Sequence, residues 1–366
     1  MASTRTPSTN LADRLADRTL QLIDVASQSG AERDIVGHLL EVLSEARVPI
    51  HDAGDTCVIA GAKARGEHPF VLLAGHLDTV PAQENWPGRR IDGHVQGLGA
   101  SDMKGGVAVM IELALAGLAG GEDSRCATDV GYVFFGREEV PSAEGALAPL
   151  LAREAGLRGA DLAIVLEPTA NVVQAGCLGN LDAAWSFHGR AGHSARPWLA
   201  ENAIDRAVEG VRALHAVEPV STTIEGLEFT QVASVTTLHA GVARNVIPGK
   251  ATANVNFRCA PDMSAEEAER TIRGLCEPYG EVEVLSNSRG ACPPQDNALL
   301  GELVAATGAP AQAKQAWTPV AEFACAGIEA VNLGPGDPAL AHRADERVSV
   351  NALVRSHRIF ESFLCA

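Results

Sequence analysis

Short runs of apolar residues that are apolar on both faces constrain this chain most. TCVIAGAK, FVLLAGH, VGYVFFG and LAIVLEP recur through the first half. A strand of this kind can be buried only between layers of helices, which predicts an α/β sheet covered on both sides. The covering helices are legible too. Leu11, Leu15, Leu22 and Ile23 follow helical spacing, Ser29-Gly30 breaks it, and a second amphipathic helix is expected from about Ala31 to Arg47. KGGVAVMIELALAGLAG is almost entirely apolar and reads as a helix buried in the core. After Glu167 the pattern changes. LDAAWSFHGR, FTQVASVTTLHAG and KATANVNFRCAPD alternate apolar and polar residues as half-buried antiparallel strands do. NAIDRAVEGVRALHAV and SAEEAERTIRGLCEPYG add two amphipathic helices. Residues 178–288 therefore read as an α+β two-layer sandwich inserted into an α/β domain made of 1–177 and 289–366. That domain resumes with NALLGELVAATG, GIEAVNLGPG and a last helix, VNALVRSHRIFESFL.

A chain of 366 residues exceeds what one core supports, in keeping with two domains. Its formal charge of -17 argues against nucleic acid or an anionic membrane surface as partner, since both need basic surface. A small-molecule substrate fits better. No apolar stretch is long enough to span a bilayer and MASTRTPSTNLADRLADRT is too polar for a secretory signal core, so a cytoplasmic location is expected. The eight cysteines are scattered without a CxxC pair and read as buried free thiols.

Polar residues gather where the apolar runs stop. His76 and Asp78 close the FVLLAGH strand and share a face, because strand side chains repeat every two residues. A carboxylate beside an imidazole is how a metal-bound histidine is oriented, although a surface strand end would look the same. Asp102, in GLGASDMKGG, suits a helix N-cap and, with two oxygens, also suits metal ligation. Glu138 and Glu139 follow VGYVFFG directly; adjacent side chains point differently, so one can hold a metal while the other acts as a general base, or both can be solvated. Glu167 is a further acid at a strand's carboxyl end, where open α/β sheets place ligands. His342, alone in a late loop, completes two histidines and three carboxylates, an N/O donor set that suits two zinc ions with Asp102 between them.

With GHLDTVP, GLGASDMKGG, FFGREEV, LEPT, GHSARPWLAENAI and GPGDPALAHRADERV in this order, nearly the whole chain resembles the di-zinc metallohydrolases that include aminoacylases, glutamate carboxypeptidases and acetylornithine deacetylases. AGCLGNL, ARNVIP, VNFRCAPD and AKQAWTPVAEF look most like the actinobacterial type of succinyl-diaminopimelate desuccinylase. The resemblance implies a zinc-peptidase-like catalytic domain, an inserted dimerisation or lid domain and a homodimer. It implies two zinc ions per subunit, replaceable by cobalt: one on His76 and Glu167, the other on Glu139 and His342, with Asp102 shared. Glu138 would be the general base and Asp78 would orient His76. The Asp102-Met103 peptide bond would be cis. His193 would reach a partner subunit's active site, and Asn245, Arg258, Thr318 and Gly334 would contact substrate. His94, His188 and His239 match no ligand position. Without the resemblance, His193 would read as part of a polar turn and Arg258 as the partner of a surface acid.

The expected reaction is hydrolysis of the amide of an N-acyl amino acid, first N-succinyl-LL-2,6-diaminopimelate, with a related deacylase or a dipeptidase second and an inactive binding homologue third. All six ligand and base positions are intact, which speaks against the last. Two positions depart from the desuccinylase pattern: Pro319 and Glu322 stand in WTPVAEF where Asp and Arg are usual. Loss of the arginine removes a bidentate carboxylate clamp, which Arg196, Arg258, Arg343 or Arg347 would have to replace.

Overall fold

A computed structural model describes residues 10–61, 68–118 and 128–365. Two compact units emerge, one made of Met1–Ala175, Pro294–Gln312 and Thr318–Ala366, the other of Gly176–Pro293 and Ala313–Trp317.

The first unit is built on an eight-stranded mixed sheet. At its centre Asp129–Phe135, Phe70–His76, Leu162–Val165 and Ala330–Asn332 run parallel in that order. Every residue of the first three is buried, as their two-faced apolar composition demands. Antiparallel strands Ile50–Gly54 and Cys57–Gly61 extend one side. Asn10 caps the helix Leu11–Asp24 by accepting from the Ala12 amide at 3.1 Å, and Leu15, Leu22 and Ile23 bury its apolar face. The helix expected from Ala31 spans Arg33–Glu45. The almost entirely apolar segment forms a helix at Gly105–Leu113, all nine residues of it buried, Glu112 included.

In the second unit, five antiparallel strands are ordered Val220–Ile224, Leu227–Ala240, Lys250–Cys259, Gly179–His188 and Glu281–Ser288. Leu181, Ala183, Trp185 and Phe187 alternate onto one face and meet Ala207 and Leu214 of the helix Ala203–His215 and Ala268 and Ile272 of the helix Ala265–Cys276. The second helix starts in a capping box between Ser264 and Glu267. The fold is thus the mixed α/β sheet plus α+β sandwich that the sequence patterns predict. Ala313–Trp317 groups with the sandwich through Leu178 N to Ala316 O at 3.1 Å and Trp317 Nε1 to Arg289 O at 3.1 Å.

The cysteines depart from the expectation of buried free thiols in two ways. Six are free, of which Cys292 and Cys325 are exposed, but Cys365 is disulfide-bonded; Cys126 lies outside the described residues. A disulfide depends on closeness in space, which scattered sequence spacing does not reveal.

Candidate metal centre

Four parallel strands in register deliver their carboxyl ends to one edge of the sheet. His76 pairs with Phe135, Ala74 with Val165, and Val165 with Asn332. The residues just past those ends are Asp78, Glu138-Glu139, Glu167 and Gly334, so separate motifs become neighbours because the ladder is parallel. Gly334 permits this approach: a Cβ there would collide with the backbone oxygens of Leu166 and Glu167.

Asp102 lies at the focus, in the tight segment Ala100–Lys104 that leads into the buried helix. Its Oδ1 is 3.2 Å from His76 Nε2 and its Oδ2 is 3.3 Å from His342 Nε2. His342 Nε2 is also 2.9 Å from Glu139 Oε1, and His76 Nε2 is 4.0 Å from Glu167 Oε1. One carboxylate thus offers an oxygen to each of two imidazoles, and each imidazole faces a further acid. His76, Asp102 and Glu139 place their donor atoms close enough together to hold a metal ion. The Asp102-Met103 bond is cis.

Asp78 is fully buried and organises the rest. Its Oδ1 accepts the Glu138 amide at 3.0 Å, and its Oδ2 accepts the Glu139 amide at 3.1 Å and the Ser29 hydroxyl at 2.6 Å. His76 Nδ1 lies 3.1 Å from the Asp78 carbonyl and 3.6 Å from its carboxylate. When the ring gives up one proton to a cation, those acceptors keep the other on Nδ1 and leave the Nε2 lone pair to ligate, the tautomer a metal ligand requires.

Sequence reading missed three supports. Glu346, almost fully buried, accepts the Gly99 amide on Oε2 and the Ser101 and Asp102 amides on Oε1, each at 2.9 Å. It fixes the Asp102 loop from 244 residues away. Buried Lys104 donates to the Leu22 and Val25 carbonyls at 2.9 and 3.1 Å, tying the same loop to the end of the first helix. Ser29, which the sequence marks only as a helix breaker, donates its hydroxyl to Asp78. The acid in GPGDPALAHRADERV was visible, but nothing local in the sequence shows which distant amides it meets.

Charge in the site favours a cation. Burial would raise Asp102, yet hydrogen bonds from His342 and His76 hold its carboxyl well below the usual range. Asp78 is held down to about 2 against its burial, by His76 and then by Ser29 and the Glu138 amide. Hydrogen bonds to Asp102 and Glu139 raise His342 to about 11. Glu138 behaves oppositely: burial pushes its carboxyl well above the ordinary value, the charge of His76 opposes this, and Glu167, Glu139 and Asp102 reinforce it. Imidazole nitrogens and carboxylate oxygens without a thiolate form the donor set expected for zinc or a similar divalent ion.

The remaining candidates are placed as follows. His193 is exposed on the bridge Gly192–His193, where it pairs with Val246; its Nδ1 accepts the Ala195 amide at 3.0 Å. Asn245 joins that corner by accepting the Ser194 amide at 3.0 Å through its carbonyl. Arg258, on Lys250–Cys259, donates from Nε to Asn256 Oδ1 at 3.0 Å, away from that corner in the register. Thr318 is buried at the start of the short helix Val320–Cys325 and accepts the Ala321 amide at 3.0 Å.

A model of peptidase family M20/M25/M40 matches residues 72–366. The chain belongs to this family. Membership makes it a hydrolase of amide bonds. A Mycobacterium tuberculosis family member provisionally named as a succinyl-diaminopimelate desuccinylase is 36% identical over 347 residues, covering 94% of this chain and 96% of that one. The succinyl-diaminopimelate desuccinylase of Corynebacterium glutamicum is 33% identical, covering 94% and 95%. An N-acetyl-L-citrulline deacetylase of Xanthomonas campestris is 31% identical, covering 89% of each. Among solved structures, an M20 family metallo-carboxypeptidase from Sulfolobus solfataricus superposes with a TM-score of 0.76 at 15% identity, covering 96% and 99%. A Bacillus subtilis dinuclear metal-binding peptidase of the M20 family gives 0.68 at 18% identity, covering 97% of each. No helix among the described residues is long and apolar enough to cross a membrane.

Proposed function

We propose that this M20 family chain hydrolyses the amide of N-succinyl-LL-2,6-diaminopimelate to succinate and LL-diaminopimelate in the cytoplasm. The observation that carries the chemistry is Asp102, whose two oxygens face His76 and His342 separately. That arrangement suits two zinc ions, one on His76, Glu167 and Asp102, the other on His342, Glu139 and Asp102. Bound there, the ions supply Lewis acidity toward a carbonyl and toward water. Asp78 holds the His76 ring and both glutamate amides, so ligand and base keep a fixed separation. Glu138 takes a proton from the attacking water and returns it to the leaving nitrogen, a role its upward-shifted carboxyl favours. Asn245, Arg258, Thr318 and Gly334 are assigned to substrate contact.

The succinyl group is supported by the relatives' names, and the deacetylase relative supports an acetylated substrate as the second reading. Glu322 bears on this choice. It is half-buried, its carboxyl accepts the Ala148 amide, and burial raises it to about 7. A carboxyl at this position supplies no clamp for a second carboxylate, which a guanidinium would. A panel of N-succinyl-diaminopimelate, N-acetylornithine and simple dipeptides with zinc present decides the matter. The succinyl substrate is expected to lead in kcat/KM by at least about tenfold, roughly 1.4 kcal/mol in transition-state binding. A lead by either of the others overturns the assignment.

A homodimer follows from the same reading, with His193 acting in the partner's active site. The second unit leaves Trp198, Leu199, Ile204, Val208, Leu238 and Val242 exposed, from 39% for Ile204 to 88% for Val242, more apolar surface than a small monomeric domain usually shows. Light scattering during gel filtration should give twice the chain mass. A fully active monomer contradicts the role of His193.

A further inference from the structure

Asp78 receives the amides of Glu138 and Glu139, and the amide just before them, that of Arg137, has a carboxylate of its own. Glu32 Oε1 accepts it at 3.1 Å across 105 residues of sequence, and accepts the Gly30 amide at 2.8 Å. Three successive amides beyond the strand Asp129–Phe135 thus hang on two buried acids. We propose that Glu32 is a positioning residue for the hydrolysis: by holding the Arg137 amide it sets the direction from which the Glu138 side chain enters the site. Glu32 acts through Glu138, so the proposal rests on the reading of Glu138 as the general base.

Glu32 is 2% exposed and stands at the N-cap of the helix Arg33–Glu45, yet its side chain makes no capping bond to that helix. A buried carboxylate is costly unless its oxygens are bonded, and this one turns instead to the Gly30 and Arg137 amides. The segment that carries it is fastened to the site by other bonds. The Thr79 amide donates to the Ser27 carbonyl at 3.0 Å, the Ser29 amide to the Thr79 carbonyl at 3.1 Å, and the Ser29 hydroxyl to Asp78. Residues 27–32 therefore form one brace with two grips. Ser29 bonds the acid that holds Glu138 and Glu139, and Glu32 bonds the residue that precedes them.

Arg137 shows why the second grip is needed. Its φ is 55°, in the left-handed region that a residue with a side chain seldom adopts and keeps only when its surroundings over-determine it. The guanidinium is anchored outside, by Nη1 to Asp55 Oδ1 and Nη2 to Asp55 Oδ2, each at 2.9 Å, and by Nε to the Glu144 carbonyl at 2.8 Å. Those bonds hold the side chain; Glu32 holds the amide. Gly136 brings the turn against the same acid, since a Cβ there would stand 2.6 Å from Thr56 Oγ1 and 3.1 Å from Glu32 Cγ. Without the acceptor, Arg137 is released toward commoner backbone angles, and a rotation of the peptide just before Glu138 displaces that side chain. A misplacement of about 1 Å can cost about 10²-fold in rate.

Steady-state kinetics of the zinc-loaded full chain, on whichever substrate leads the panel above, test the assignment. Glu32→Ala should lower kcat by about 10- to 10²-fold while KM and metal content stay within about twofold of the parent's. Glu32→Gln keeps an accepting oxygen and should recover all but about threefold of that loss. A residue that acts only through the base has nothing to act on once the base is gone. In a Glu138→Gln background, Glu32→Ala should therefore cost less than about twofold more, an outcome that a merely structural glutamate does not produce. Should Glu32→Ala fail to fold, Glu32→Asp keeps the charge, draws the oxygens back by one methylene and serves in the same cycle. The proposal is overturned if the folded variant turns over like the parent, if Glu32→Gln is no better than Glu32→Ala, or if the loss persists undiminished beside Glu138→Gln. Near-parental turnover by Glu138→Gln alone removes the base reading and this proposal with it; a crippled Glu138→Gln beside a fully active Glu32→Ala removes this proposal only.

Discussion

Glu138→Gln is expected to lower turnover by about 10²- to 10⁴-fold while leaving metal content and KM nearly unchanged. The reason is positional. Glu138 and Glu139 hang by successive amides from the two oxygens of Asp78, which turns their side chains to different tasks. Glu139 meets His342 at 2.9 Å, whereas Glu138 is surrounded by the charges of His76, Glu167, Glu139 and Asp102. Glutamine keeps the shape and removes only the ability to accept and return a proton. Because it also removes one negative charge from a crowded acidic site, the variant's melting temperature should not fall below that of the parent chain. Rate measurements beside metal analysis and thermal unfolding check all three expectations. Near-parental turnover would place the general base elsewhere.

Asp102→Asn should abolish activity by a different route. An amide has one oxygen and carries no charge, so it cannot offer an anionic oxygen to both His76 and His342. The variant is expected to retain at most one ion per chain, with affinity reduced by at least about 10²-fold. Its far-ultraviolet circular dichroism should match the parent's, since Glu346 holds the Asp102 backbone amide rather than the side chain. Elemental analysis after equilibration against a weak chelator reads the stoichiometry. Two ions held with parental affinity would remove Asp102 from between the two positions.

Much of this arrangement is legible from local pattern. Runs apolar on both faces locate the buried strands, and the polar residue that ends each run lies at the sheet edge because parallel strands leave their carboxyl ends together. His76, Asp78, Glu139 and Glu167 are visible for that reason. Periodicity likewise identifies the sandwich, since Gly179–His188 alternates buried and half-buried residues nearly throughout. The remainder depends on separations that no window along the chain can encompass. Glu346 meets the Gly99, Ser101 and Asp102 amides, Ser29 meets Asp78, and Ala316 accepts from Leu178. Cys365 gives no hint of its disulfide, because nothing about isolated thiols records their distances.

The grip of Glu346 on the Asp102 loop also bears on biosynthesis. A ribosome releases His76, Asp102, Glu139 and Glu167 well before the segment that supplies His342 and the carboxylate that steadies Asp102. During that interval the nascent chain has acidic donors but neither the second imidazole nor the brace that sets their spacing. Metal capture in the final geometry therefore waits for the late segment to dock, and a chain truncated before His342 should emerge as a weak, unselective chelator with no hydrolytic competence.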